Sequence, residues 1–487
     1  MNLLKRIIFS IILASGLFGQ AFNGYTIFSP TGGGQGGGFT NGTSYLINNS
    51  LNVIHTWQHP RGAASMPYLQ PDSSIIYPFR VQNPSMSNGG VGGGIARINW
   101  NNNIFWQVEI ANDTYQHHHD IQPLPNGNIL VIAWERKTAT EAYALGRQVI
   151  NNPLNEMWSE AILELEPIGT DSANIVWEWH LWDHLIQDVD SALPNYGVIA
   201  DHPELMNINY GMVGGTQGPG NSHADWMHFN AIDYNTDLDQ IVVSSRTMGE
   251  IYIIDHSTTT SEAASHSGGN SGKGGDYLYR WGNPQVYDRG NGSNQQLNSQ
   301  HGINWIPANY PGGGHLICYN NNYQNNNSAV FEINTPVDST GNYILNGSDP
   351  YGPNGPVWMH SGGFYSNVQS GAFRLPNGNT LIIEADDAHM FEVTSSGSIV
   401  WNYIFPGNNI MIARAQRYEL NYLIDDFPVF TSGDVNFDGE INIEDISLAV
   451  DMIYGTGYNP TPPADLNGDG VVTMNDIVIM VQLAMNN

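Results

Sequence analysis

Leu124-Pro-Asn-Gly-Asn-Ile-Leu-Val-Ile132 and Leu375-Pro-Asn-Gly-Asn-Thr-Leu-Ile-Ile383 are near-copies of one another. Asn-Gly between apolar runs is a strong hairpin signal, because the tight turns that match strand twist need positive φ at their centre. The stretch Asp233 to Asp239, followed by Gln240-Ile-Val-Val243, writes the same strand, turn and strand with other residues. A third strand completes each unit, as in Ile162-Leu-Glu-Leu165, Glu250-Ile-Tyr-Ile-Ile254, Ala329-Val-Phe-Glu-Ile333 and Met390-Phe-Glu-Val393. So does a strand ending in tryptophan, at Trp57, Trp106, Trp177, Trp281, Trp358 and Trp401. Units of four short strands repeated in this way between Phe22 and Leu423 predict an all-β, six-bladed propeller. A β-sandwich is the competing architecture, but the repeat favours the propeller. The longest insertions, Glu135 to Trp158 and Leu181 to Asn221, fall beside histidine-bearing strands.

Composition agrees with many strands joined by turns. The 487 residues include 54 Gly, 13 Trp and 24 Tyr, while charged residues make up only 12 %. Gly and Asn supply the turn conformations. The net charge of −30 argues against nucleic acid and anionic membrane surfaces as partners, since both require basic faces. Lys5-Arg6, the apolar run from Ile7 and the small residues before Ala21 read as a secretory signal over residues 1–21. No later stretch reaches membrane-spanning length. Cys318 is the sole cysteine, so an exported chain of this kind contains no internal disulfide. Secretion or attachment at the cell surface is the expected location.

After Thr431 the pattern changes, which divides the chain into a propeller over 22–430 and a tail over 431–487. Asp434-Val-Asn-Phe-Asp-Gly-Glu-Ile-Asn-Ile-Glu-Asp445 places oxygen ligands at positions 1, 3, 5, 9 and 12, with Gly439 at the sharp turn. Asp465-Leu-Asn-Gly-Asp-Gly-Val-Val-Thr-Met-Asn-Asp476 repeats it, with Gly470 in the same place. Candidate ligands are thus Asp434, Asn436, Asp438, Glu440, Asn442 and Asp445 in one loop, and Asp465, Asn467, Asp469, Val471, Thr473 and Asp476 in the other. The position-7 residues, Glu440 and Val471, would ligate through the backbone carbonyl. Each loop ends in Asp instead of the usual Glu and is followed, not preceded, by a helical run. In these features the tail resembles a type I dockerin. The resemblance implies a small α-helical domain holding two structural calcium ions and a cohesin-like partner.

The propeller repeat carries chemistry at one phase. His119 and Ser370 each stand five residues before the leucine of their Leu-Pro-Asn-Gly-Asn units, His301 stands five before Ile306, and His228 five before Asp233. Arranged around an axis, four such side chains converge. By strand alternation Asn230 shares the face of His228, and Arg246 follows in the next strand. Imidazoles, an amide and a guanidinium suit a tetrahedral oxyanion, and imidazole can serve as nucleophile or acid–base. Zinc held by three histidines is another reading, as is a purely structural role. Alternation turns His118 away from His119 and leaves His117 on its face. Asp201 reads as the cap of a helix with Pro203 in its first turn.

His118-His-Asp-Ile-Gln-Pro-Leu-Pro-Asn-Gly-Asn128, Asp225-Trp-Met-His-Phe-Asn-Ala-Ile-Asp-Tyr234, Ile241-Val-Val-Ser-Ser-Arg246 and Gln300-His-Gly-Ile-Asn-Trp-Ile306 together resemble the bacterial arylsulfotransferase family. The resemblance spans nearly all of the region before residue 430. It implies a six-bladed propeller that moves a sulfuryl group from a phenolic sulfate to a phenolic or other hydroxyl acceptor, without phosphoadenylyl sulfate or another catalytic cofactor. By position, His301 is implied as the transiently sulfated nucleophile. His119, His228 and Arg246 are implied as catalytic partners, with Asn230 and Ser370 binding the substrate. A disulfide found in some members has no counterpart here. The alternative function is a non-enzymatic propeller that binds sulfated glycans and is displayed through the tail.

Overall fold

The computed structural model describes residues 20–32, 41–216, 222–324, 326–338, 341–423, 433, 435, 441–454, 464, 466 and 472–485. The signal read over 1–21 therefore lies almost wholly outside the described residues. Six four-stranded antiparallel sheets make up the propeller. Their first strands are Tyr68–Leu69, Tyr115–Pro123, Phe229–Asn235, His301–Trp305, Gly371–Arg374 and Ile410–Glu419, here blades one to six. These strands line the central channel, those of blades two to six packing successively on each other. Blade six closes the ring by pairing Ile410–Glu419 from the far end of the propeller with Gly24–Gly32 from its beginning. Gly42–Ile47 and Val53–His59 complete that sheet. Among the described residues no helix is long and apolar enough to cross a membrane.

All six repeat tryptophans lie on outermost strands, and five of them tie their blade to the next through the indole N–H. Trp106 donates to Ser172 O at 2.8 Å, Trp177 to Thr258 Oγ1 at 3.2 Å and Trp281 to Pro353 O at 2.7 Å. Trp358 donates to Ser395 O and Trp401 to Asn49 O, each at 2.9 Å. An indole is large enough to span the wedge between blades and carries one donor for the carbonyl beyond. The exception is Trp57, whose buried indole nitrogen has no partner among the described residues. There the link from blade six to blade one is made by Asn102, which accepts from Gln58 N at 2.6 Å and donates to Thr56 O at 3.3 Å.

A buried ion pair crosses the channel. Asp120 on blade two is bound by Arg414 on blade six, by the Tyr68 hydroxyl of blade one at 2.9 Å and by Ile232 N of blade three at 3.1 Å. Asn304 of blade four donates to Ala372 O of blade five at 2.9 Å, and Asp233 of blade three accepts from Trp305 N of blade four at 2.7 Å. Beyond this waist, at the far ends of the inner strands, the channel opens into a cavity of about 1020 Å3 lined by Tyr68, Asp233, Trp305 and Tyr418.

The long insertion differs from expectation at Asp201. Instead of opening a helix, Asp201 ends a 3-10 turn over Ile199–Asp201. The reason is Arg280, fully buried, which draws Pro203 O and Leu205 O onto its guanidinium and so removes the carbonyls a helix would use. The remainder of this insertion packs Leu185, Ile186, Met206 and Ile208 into the core shared by blades two and three.

In the tail, helices Ile443–Tyr454 and Met474–Ala484 follow the two loops and share a core of Ala449, Met452, Ile477 and Met480. Replacing Asp120 with alanine leaves the Arg414 guanidinium buried and unpaired, so the expected loss is about 3–5 kcal/mol of unfolding free energy. A urea titration checks this, and an unchanged midpoint would contradict the central role given to the pair.

Candidate active site

Four blades enter the channel through a kink in the backbone. His119, His228 and Ser370 have φ of 53°, 55° and 82°, and His301 lies between Ser299 at 57° and Gly302 at 64°. Positive φ is uncommon for residues with a Cβ and is held only where the surroundings enforce it. The strand ladders skip register at the same places, between His117 and Ile121, Phe229 and Ala231, and His301 and Asn304. The kinks bring the rings together: His119 and His228 lie 4.6 Å apart between centroids, and His119 and His301 lie 6.4 Å apart. His119 also rests on Gly90, where a Cβ would come within 2.0 Å of the ring.

Each ring is anchored through Nδ1, and none of the three Nε2 atoms has a hydrogen-bond partner among the described residues. His301 Nδ1 faces two oxygens, Asn321 Oδ1 at 2.8 Å and Ser299 O at 2.9 Å. The Asn321 amide is oriented in turn, since its nitrogen donates to Ser366 O and Gln369 O, both at 3.0 Å. Two acceptors require a proton on Nδ1, which leaves the Nε2 lone pair free. His228 Nδ1 is held by Asp225, which also accepts from Asn88 at 2.7 Å and from the Trp134 indole at 3.1 Å. These partners hold the Asp225 carboxyl down to about 2, with the His228 charge the largest lowering cause against burial. His119 Nδ1 meets His118 Nδ1 at 2.9 Å.

The last contact departs from strand alternation. With His119 in the left-handed region, His118 turns toward it instead of away, stacks on Trp134 and reaches Glu160 at 2.9 Å. His117, expected on the face of His119, accepts from Gly93 N at 2.9 Å. Asp225, Asn321, His118 and Glu160 were all missing from the sequence-based site. Asp225 had a usable signal, standing three residues before His228 in the motif itself. His118 stood next to His119 in its motif but alternation turned it away, while Asn321 and Glu160 come from other strands and carried none.

Arg246 is half-buried; its backbone N–H donates to His228 O at 3.1 Å, while its guanidinium forms no hydrogen bond or ion pair with a described residue. Burial lowers its pKa, and its charge helps hold down both His119 and His301 after the larger effect of their own burial. An unpaired guanidinium among three imidazoles fits an anion. Asn230 is beside the rings, but its nitrogen donates to Gln300 O at 2.7 Å and its buried Oδ1 has no partner among the described residues. Ser370 sits with His119, His301 and Asn230 around a cavity of about 10 Å3. Its hydroxyl donates to Val368 O at 3.2 Å and accepts from Ala385 N at 3.1 Å, so in this arrangement no proton is left for a ligand. Among the described residues, one group offers three ligand atoms within 4.8 Å of one another: His184, His266 and Asp276. It does not include the three site histidines, which weakens the zinc reading of them.

In the tail loops, Asp434, Asn436, Asp438, Glu440, Asp465, Asn467, Asp469 and Val471 lie outside the described residues. Asn442, Asp445, Thr473 and Asp476 are described and behave alike. Asp445 accepts from Val435 N at 2.6 Å and Asn442 N at 2.9 Å, and Asp476 accepts from Leu466 N at 2.9 Å and Thr473 N at 2.8 Å. The twelfth residue thus accepts from positions 2 and 9 in both loops.

Residues 92–400, more than half of the chain, match the family model "Arylsulfotransferase (ASST)", and residues 432–483 match "Dockerin type I domain". No curated protein matches. Similar solved structures include a protein of unknown function from Bacteroides caccae, 12 % identical over 80 % of this chain and 98 % of that one, with a TM-score of 0.41. The Pseudomonas aeruginosa periplasmic gluconolactonase PpgL is 12 % identical over 80 % and 99 %, with a TM-score of 0.36.

His301 is pushed down to about 3, by burial first and Arg246 second. A depressed pKa keeps the ring neutral above it, so nitrogen-15 NMR of histidine-labelled protein should show His301 as the Nδ1–H tautomer from pH 8 to about pH 4. A doubly protonated ring at pH 6 would refute the geometry.

Proposed function

Because this chain belongs to the arylsulfotransferase family, we propose that its propeller transfers a sulfuryl group from an aryl sulfate ester to a phenolic or other hydroxyl acceptor, with His301 as the transient carrier. In the first half-reaction the His301 Nε2 lone pair attacks sulfur, the sulfur–oxygen bond to the aryl group breaks, and the phenolate leaves with the bonding pair. In the second, the acceptor oxygen attacks the same sulfur and the nitrogen–sulfur bond breaks, returning the pair to Nε2. Positive charge from Arg246 offsets the charge of the sulfuryl oxygens. His228, oriented by Asp225, and His119 donate to those oxygens or handle the proton of the departing and arriving hydroxyl. Asn230 braces the strand that carries His301 through Gln300 and can offer its second amide hydrogen to the group. Ser370 serves the backbone first and shapes the floor.

The observation that carries this reading is the tautomer of His301. Two oxygen acceptors on Nδ1 hold the ring with its basic nitrogen bare, beside a guanidinium that has no partner among the described residues. Nucleophilic catalysis by imidazole needs that arrangement.

The tail is the attachment device of the reading, a dockerin that docks on a cohesin outside the cell and holds two calcium ions. The side chains of Asp434, Asn436, Asp438, Asn442 and Asp445 would hold one, with Asp465, Asn467, Asp469, Thr473 and Asp476 holding the other. The carbonyls of Glu440 and Val471 would complete the sets. Calcium would supply the positive charge that lets so many oxygens gather in a short loop.

Rapid mixing with 4-nitrophenyl sulfate should give a burst of nitrophenol equal to the enzyme concentration, and a histidine-linked sulfuryl group should be recoverable from the protein. His301→Ala should lower turnover by about a thousand-fold or more. Full turnover in that variant, or binding of sulfated glycans with no transfer from any donor, would overturn the assignment. Removing calcium with EDTA should unfold the tail, read as rapid proteolysis after residue 430, while the burst persists. Protection unaffected by EDTA would contradict the loop reading.

A further inference from the structure

Glu160 and His118 are fully buried ionisable groups that no step above uses. They form a row that ends at His119. Glu160 Oε1 accepts the Phe229 N–H at 2.8 Å, its Oε2 lies 2.9 Å from His118 Nε2, and His118 Nδ1 lies 2.9 Å from His119 Nδ1. The stack of His118 on Trp134, centroids 4.2 Å apart and planes 10° from parallel, fixes the middle ring. Two nitrogens at hydrogen-bond distance share one proton, and so do the oxygen and nitrogen at the other junction. The row therefore has two proton arrangements that leave both rings neutral. In one, Glu160 is a carboxylic acid donating to His118 Nε2, His118 Nδ1–H donates to His119 Nδ1, and His119 carries a proton on Nε2. In the other, Glu160 is a carboxylate, each proton has moved one place along, and His119 Nε2 is bare. Passing between them moves one proton in or out at His119 Nε2 without making an imidazolium.

We propose that Glu160, His118 and His119 are the proton reservoir of the sulfuryl transfer, storing at Glu160 the proton that the leaving phenolate takes and the acceptor hydroxyl returns. The proposal rests on the sulfuryl-transfer reading. When the sulfur–oxygen bond of the donor breaks, its electron pair goes to the phenolate oxygen, which takes the proton from His119 Nε2. His118 passes its Nδ1 proton to His119, and Glu160 passes its own to His118. When the acceptor oxygen bonds sulfur and the pair returns to His301 Nε2, the hydroxyl proton enters at His119 Nε2 and the row reverses.

Burial supports this account. It raises the Glu160 carboxyl well above the usual range, with Asp225 adding to the effect, and it lowers His118 to about 3. Both shifts disfavour charge in the row, so the neutral, proton-loaded arrangement is the resting one. The ionisable groups that face it are Asp225, His228, His301 and Arg246. Water does not need to reach the row, because each junction is closed by a protein atom.

A leaving group that needs no proton separates this role from a structural one. Glu160→Gln keeps an acceptor for Phe229 N–H but has no acidic proton to lend. With 4-nitrophenyl sulfate, whose phenolate is stable without protonation, the burst rate of this variant should fall only a few-fold. With phenyl sulfate it should fall at least a hundred-fold, the size of effect general acid catalysis produces. In the unmodified protein, the phenyl sulfate burst should slow in heavy water with a curved dependence on deuterium fraction, since several protons move together. Equal losses on both donors, or no isotope effect on the unmodified protein, would overturn the relay while leaving the transfer intact. No burst from the unmodified protein with either donor would overturn the transfer itself.

Discussion

The ion pair between Asp120 and Arg414 is the constraint on which the other parts of the propeller depend. Arg414 lies on the strand that closes the ring, and Asp120 follows His119 directly in the chain. The carboxylate also holds the Tyr68 hydroxyl and Ile232 N, so one group ties four inner strands together. Two charges taken from water interact favourably only where their remaining valences are met. Here they are, with Ser65 3.2 Å from the guanidinium. Ring closure and the placement of His119 are consequently a single event.

The same economy of charge runs through the protein. Arg280, Arg374 and Arg417 are buried against Glu250, Glu332 and Glu392, each over an aromatic ring. In a chain with 15 basic residues against 45 acidic ones, that leaves few cations to spare. Arg246 stands among the histidines with no carboxylate of the described residues in contact, which is why its position is informative. A guanidinium left unpaired in a half-buried place is costly unless an anion completes it.

Much of the architecture was legible. Asn-Gly turns, third strands and one tryptophan per unit were enough for the six blades, since each is a local signal repeated. The phase of His119, His228, His301 and Ser370 was legible for the same reason. The groups behind the rings were not. Glu160 lies 42 residues from His118, and Asn321 lies 20 from His301. No period connects them, because only the stacking of blades brings them close. Alternation misplaced His118 because it assumes an extended backbone, and His119 leaves that region at φ 53°. Asp201 failed for a similar reason, since a guanidinium from a distant strand outcompeted a local helix. Ser370 shows the converse: its phase was right, yet the backbone around it uses its hydroxyl.

The waist at Asp120 and Arg414 also makes the propeller a blind alley. The cavity between the rings and the pair is about 10 Å3, too little for more than a water, and the wide opening lies on the other side. Whatever enters to meet the histidines must turn back and leave as it came. Two guests cannot pass that pair in line, so under the proposed transfer the first departs before the second is received. Under the proposed transfer, what the first guest leaves on His301 is what the second one finds.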